Sequence, residues 1–129
     1  MSDFVNDSIN EFQREGKNFM FFDISKVASN EQMEAVAEEA KRRIVKYPLK
    51  SVYVITSNLN FFDTRTKEIG VEWIVFNKPY VIASALVDIT PLTRLKVKTV
   101  YKQAERETAK PFPTLEEAVE WLLTQEVTE

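Results

Sequence analysis

Three aspartates lie where predicted strands end or a predicted helix begins, and they are the side chains best placed for chemistry. Asp23 and Asp88 end strands, and Asp63 opens a helix. Because parallel strands point their carboxyl ends to one sheet edge, the three carboxylates could converge there. Such a cluster could bind Mg²⁺ or pair a general acid with a general base. The alternative is that each aspartate caps or solvates its own turn.

The residue types that are missing exclude most other catalytic chemistry. The sequence contains no histidine and no cysteine, so Ser-His and Cys-His nucleophilic systems and disulfides are ruled out. Zinc chemistry is disfavoured for the same reason, and no Gly-rich phosphate loop is present. We therefore predict a protein that is not an enzyme and that uses no cofactor and no metal.

Composition predicts one globular domain. The chain has 129 residues, of which 44% are hydrophobic and 29% charged, and we assign a disordered N-terminus to residues 1–8 and a single domain to residues 9–125. A net charge of −3 favours no nucleic acid partner. No secretory pattern is present at the N-terminus, and no apolar run approaches the ~20 residues of a membrane span. The expected location is cytoplasmic.

The order of apolar runs and caps predicts an α/β domain. An N-terminal hairpin over residues 9–24 turns at Gly16, and further strands are predicted at 52–56, 80–88 and 110–112. Helices are predicted at 29–47, 63–76, 90–104 and 114–123, each opened by a capping residue. Alternating strands and helices predict a mostly parallel four- or five-stranded sheet covered by about four helices.

The loop and helix at residues 59–76 have features of a binding surface. Phe61 and Phe62 follow Asn58 at the predicted carboxyl edge of the sheet, where small ligands bind near a reversal of strand order. The alternative is that these rings seal the core. The helix is apolar nearly all round, which indicates either deep burial or a second face for a protein partner, including a homodimer. Its apolar positions are Ile69, Val71, Trp73, Ile74, Val75 and Phe76.

Two further patterns could recognise charge. Phosphate on Thr64 would lie near the positive end of the helix that Asp63 caps, with Arg65 beside it. Otherwise Asp63 is only a cap and Thr64 only a first-turn residue. The helix at 90–104 carries a basic stripe at successive i, i+4 positions that could attract phosphates, an anionic membrane surface or an acidic partner, or could be a solvated outer face. The stripe consists of Arg94, Lys98 and Lys102.

The segment LNFFDTRTKEIG at residues 59–70 resembles the Asp-Ser-Ser type motif of the STAS, or anti-sigma-factor antagonist, superfamily. The segments NFMFFDIS, NKPYVIASALVDIT and FPTLEEAVEWL extend this resemblance over residues 18–123 to small bacterial SpoIIAA-like proteins of the STAS/SEC14 type. The sequence departs from the motif at Arg65, which replaces a small hydroxyl residue, and at Thr66, which replaces a glycine.

The resemblance implies a non-enzymatic regulatory or protein-interaction module. In that superfamily a phosphorylatable hydroxyl controls binding to a kinase-type partner, and by position this hydroxyl would belong to Thr64. The implied partner surface centres on the loop and helix at residues 59–76. The alternative is a domain that binds a small apolar ligand or a lipid, with Phe61 and Phe62 at the pocket.

Overall fold

The computed structural model describes residues 2–106 and 109–125. Five helices and five strands follow one another in these two ranges. In chain order they are α1 (Ser2–Ser8), β1 (Ile9–Arg14), β2 (Lys17–Phe22), α2 (Asn30–Ile44), β3 (Val52–Ser57), α3 (Thr64–Asn77), β4 (Val81–Val87), α4 (Pro91–Gln103), β5 (Lys110–Phe112) and α5 (Leu115–Leu123). The predicted α/β class is confirmed, with one helix more than the sequence indicates.

The five strands form one sheet in the order β1-β2-β3-β4-β5. Strand β1 is antiparallel to β2, and the remaining pairs are parallel, as predicted for a mostly parallel sheet with an N-terminal hairpin. Each helical connection leads to the neighbouring strand, always in the same direction along the sheet. Right-handed crossovers therefore bring α2, α3 and α4 to the same face of the sheet. The strand order does not reverse among these strands, and the expected reversal beside the 58–62 loop is therefore wrong.

Residues 2–8 form helix α1, in place of the disorder predicted for residues 1–8. Val5 is buried, and Phe4 packs against the same core. The guanidinium of Arg43 on α2 donates a hydrogen bond of 2.7 Å to the Asn6 side chain. The polar composition of this segment predicts disorder, because its two apolar anchors, Phe4 and Val5, are buried only through contacts with distant elements. Met1 lies outside the described residues.

The two faces of the sheet are covered differently. Met20, Val52 and Val54 point from β2 and β3 toward the layer of α1, α2 and α3. The alternate residues on these strands point to the other face, where α5 packs. Ala118, Val119 and Leu122 of α5 are fully buried there, while Trp121 is half-buried against Phe112.

Helix α3 lies between α2 and α4, which explains its apolar sequence. Ile74 and Val71 pack in a cluster that includes residues of α4, and a Cβ atom at Gly70 would come within 3.3 Å of Val100 on α4. Most of the apolar surface of α3 is therefore covered within the domain, and Val75 at 54% is its most exposed large apolar side chain. Across the described ranges, the structure has no helix long and apolar enough to cross a membrane.

Candidate functional site

An apolar cavity lies between the sheet and the three helices α2, α3 and α4. The space open to the centre of a water-sized sphere is about 110 Å³. Half-buried side chains such as Met33 and Val97 are among its walls, so the cavity reaches toward the surface. The wall consists of Phe22, Ile24, Met33, Val36, Ala37, Ala40, Thr56, Leu59, Phe62, Thr66, Ile69, Gly70, Trp73, Ile74, Leu86, Val97, Val100 and Tyr101.

The cavity exists because several of the helix residues that face it have small side chains. Ala37 and Ala40 are the small residues among those that α2 contributes to the wall, and Gly70 takes the middle of α3. The indole of Trp73 forms one wall and meets the ring of Phe22 edge-on, with ring centroids 5.4 Å apart. Large side chains thus frame a gap that the small ones do not fill, which is how an apolar void persists in a close-packed interior.

Three polar side chains border the cavity, and two of them have partners elsewhere. The hydroxyl of Thr66 donates to the Asn30 side-chain oxygen at 2.7 Å. The phenol of Tyr101 hydrogen-bonds to Ser84, and burial raises its pKa, so the phenol stays protonated. The side-chain hydroxyl of Thr56, on β3, has no hydrogen-bond partner within the described ranges. Its hydroxyl is therefore the polar group that a bound molecule could use.

The loop at residues 58–63 covers the cavity and is held by side-chain amides. The Asn58 oxygen accepts a hydrogen bond of 3.1 Å from the backbone N–H of Thr90, and the Asn60 amide donates to the Ser25 carbonyl at 2.9 Å. Asn58 and Asn60 are also joined to each other, at 2.9 Å. These bonds fasten the loop to the start of α4 on one side and to the segment after β2 on the other.

The two loop phenylalanines have different positions. Phe62 lines the cavity, with the ammonium of Lys96 5.4 Å from its ring centroid. Phe61 is half-buried and does not line the cavity. Of the residues predicted as a partner or ligand surface, Phe62 and Trp73 turn toward the cavity, whereas Val75 faces outward. The predicted surface is thus divided between the interior and the exterior.

Asp63 caps α3 and links it to α2. Its carboxylate accepts from the Thr66 N–H at 3.0 Å, and the Thr66 hydroxyl accepts in return from the Asp63 N–H. The Asn30 amide, at the start of α2, donates to the same carboxylate at 2.9 Å. The Asn30 hydrogen bond, followed by that of Thr66, lowers the pKa of Asp63. Thr64 is exposed beside this cap.

Arg65 is not free to bind a phosphate on Thr64. Its guanidinium pairs with Glu34 of α2, with Glu68 at 3.3 Å and with Glu72 at 3.7 Å. The hydrogen bond to Glu34 is the main reason why the pKa of Arg65 is raised. A phosphate on Thr64 would therefore compete with three carboxylates for this cation. The sequence alone does not indicate these ion pairs.

The three aspartates do not form a cluster. Asp23 accepts a hydrogen bond of 2.7 Å from the Ser25 hydroxyl, and Asp63 caps α3. Asp88 takes a positive φ of 52° after β4. Within the ranges that the structure describes, no group of three acidic residues could hold a metal ion. The three-carboxylate metal site considered from the sequence is therefore wrong, and Asp23 and Asp63 instead serve their own turn and cap.

The predicted basic stripe is exposed along α4. Arg94, Lys98 and Lys102 all face solvent. Leu92 and Leu95 are each 63% exposed on the same helix. The buried face of α4 is formed by Thr93, Val100 and Tyr101.

The sequence predicted an apolar pocket at Phe61 and Phe62, but it did not indicate a cavity between the sheet and helices α2, α3 and α4. Its signal was the small residues Ala37, Ala40 and Gly70 at inward positions of neighbouring helices, but the helix spacing that turns such residues into a void is not readable from the chain. No protein-family model matches this chain, and the comparison with curated proteins also finds no match.

Proposed function

We propose that this domain is a non-enzymatic binding module for a small apolar molecule held between the sheet and helices α2, α3 and α4. The observation that carries the proposal is the apolar cavity with Phe62 and Trp73 in its wall. Water gains little from entering such a space because it finds few polar partners there, so an apolar ligand would bind with little competition.

The volume favours a ligand of about one ring. A cavity of about 150 Å³ with apolar walls holds benzene, and the present one, at about 110 Å³, is slightly smaller. An acyl chain has more than twice as many carbons as benzene, so the space favours a compact molecule over a lipid. The hydroxyl of Thr56 would satisfy one polar group on such a ligand.

Benzene is the probe that tests the cavity directly. At tenfold excess over its Kd, benzene would stabilise the fold by about 1.4 kcal/mol, which raises Tm by roughly 4 °C in a domain of this size. Ala40 is buried in the cavity wall, so Ala40→Leu should fill the space, keep Tm at or above the wild-type value and abolish the benzene response. The measurement is thermal unfolding with and without benzene.

The matched control is Ala28→Leu, which adds the same side chain at an exposed position outside the cavity. This variant should respond to benzene like the wild type. If Ala40→Leu does not fold, Ala37→Leu serves the same purpose from the next position on α2. A wild-type Tm that benzene leaves unchanged, or an equal response in the filled variant, would contradict the proposal.

A second candidate function is supported by the position of Thr64. We infer a regulatory module of the STAS/SEC14 type in which this hydroxyl is a switch for a protein partner. Thr64 is exposed at the first position of α3, open to a modifying enzyme, and the outward Val75 lies on the same helix. The mostly parallel sheet with its N-terminal hairpin also agrees with this class.

The switch predicts that charge at Thr64 changes partner binding. Three glutamate carboxylates already surround the Arg65 guanidinium. The new carboxylate of Thr64→Glu should therefore either draw Arg65 away from these glutamates or repel the glutamates. Wild type, Thr64→Ala and Thr64→Glu would be purified with their partners from the native cells and compared by native mass spectrometry. If the two variants retain the same partners as the wild type, in the same amounts, Thr64 is not a switch.

A further inference from the structure

Helix α4 differs in charge from the rest of the molecule. Pro91–Gln103 contains four cations and no acidic residue, in a chain of net charge −3. Helices α2 and α3 pair their arginines with glutamates. Arg94, Lys98 and Lys102 have no ion-pair partner within the described ranges. The exposed side of α4 is therefore a positive surface on an otherwise acidic protein.

The same exposed side carries two leucines. Leu92 and Leu95 are each 63% exposed. At 100° per residue, Leu95, Thr99 and Leu92 occupy an arc of about 60° on the exposed side of α4. Arg94 and Lys98 flank this arc on one side. Lys96 flanks it on the other, where its ammonium lies over the Phe62 ring of the neighbouring loop.

The exposed side of α4 is convex, because a helix is a cylinder and only its opposite side packs on the domain. Helix α3 packs on one side of α4, and the chain then continues into the last strand of the sheet, β5. A convex stripe with an apolar centre and cationic flanks fits a flat, deformable bilayer interface. A protein partner would have to supply a matching groove with acidic rims.

We propose that α4 is a docking surface for anionic lipid bilayers. Leu92 and Leu95 enter the boundary between headgroups and acyl chains, while the flanking cations bind anionic headgroups. The helix stays packed in the domain and lies in the plane of the bilayer surface. This proposal is independent of the cavity, because the two leucines and the cations of the basic stripe do not line it.

A single fluorescent label can report docking because the chain contains no cysteine. Thr99 is exposed and lies between Leu95 and Leu92 around the helix, so Thr99→Cys carries an environment-sensitive dye at the proposed contact. Vesicles with about 30 mol% phosphatidylserine should shift the dye to shorter wavelength and co-sediment with the protein, whereas pure phosphatidylcholine vesicles should not. Raising the salt from about 0.1 M to about 0.5 M should weaken binding.

Two variants separate the contribution of charge to vesicle binding from the contribution of the apolar side chains. Replacing Arg94, Lys98 and Lys102 by glutamine should lower the partition coefficient about a hundredfold, at about fivefold per cation. Leu92→Ser with Leu95→Ser should lower it at least about tenfold, because the apolar contacts are lost. Both sets of positions are exposed, so the fold should be kept.

Matched controls use exposed residues elsewhere. Glutamine at Lys17, Lys26 and Lys46 changes the net charge equally, and Leu49→Ser removes a leucine that is 67% exposed; both should bind like the wild type. The proposal is overturned if anionic vesicles neither shift the dye nor co-sediment, or if the charge control weakens binding as much as the α4 variant. It is also overturned if the leucine variant binds like the wild type, because the attraction would then be that of any polyanion or acidic protein.

Discussion

At the scale of single residues, one polar triangle joins two helix starts. Asn30 opens α2, Asp63 caps α3, and the buried Thr66 bonds to both of their side chains. Because each of these groups satisfies a donor or acceptor of another, the triangle fixes the relative position of the helices that bound the cavity. The capping role of Asp63 was one of two interpretations left open by the sequence, and the structure confirms it.

The lowered pKa of Asp63 makes its contribution dependent on pH. A carboxylate whose pKa is lower in the folded than in the unfolded state stabilises the fold fully above the unfolded pKa of about 3.9. This contribution is lost as the pH falls through the folded pKa. In Asp63→Asn the neutral amide can still cap the helix, so the wild type should exceed the variant in stability at neutral pH, and the difference should vanish in acid.

Urea unfolding of both proteins at a series of pH values measures this difference. Other carboxylates with lowered pKa values, such as those of Glu39 and Glu116, contribute equally to both proteins and cancel. A difference in stability that stays constant from neutral pH to about pH 3 would show that Asp63 does not titrate as described.

At the scale of secondary-structure elements, the helices and strands were predictable and their arrangement was less so. The capping residues Ser29, Asp63, Thr90 and Thr114 each accept the N–H bond that their sequence position predicts. Local caps and apolar periods determine where an element begins and ends. Helix α1 at residues 2–8, where the sequence predicted disorder, was not predictable because burial of Val5 depends on distant contacts.

Helix α5 covers the second face of the sheet, and its packing predicts a large stability effect. Leu122 is fully buried against that face, so Leu122→Ala should destabilise the domain by about 3 kcal/mol through lost apolar burial and the cavity left behind. Leu49→Ala, at an exposed leucine, should change stability by less than about 0.5 kcal/mol. Urea unfolding of both variants checks the prediction, and equal effects would contradict the packing described for α5.

At the scale of the whole molecule, the sequential strand order determines where a ligand can bind. With α2, α3 and α4 on one face, the space lies between three helices and the sheet and not in a crevice at a reversal of strand order. The sequence located the loop with Phe62 and the helix with Trp73, but it left open whether they line a pocket, fill the core or meet a partner. Their inward direction depends on the neighbours of α3, which no local pattern encodes.

The measurement that tests the central claim most directly is a crystal structure of the protein under xenon pressure. Xenon enters apolar voids of this size, so a single strong peak is predicted between Trp73, Leu86 and Val100. Crystals of Ala40→Leu, treated in the same way, should lack that peak. A wild-type crystal with no xenon between the sheet and helices α2, α3 and α4 would contradict the existence of a ligand-sized cavity.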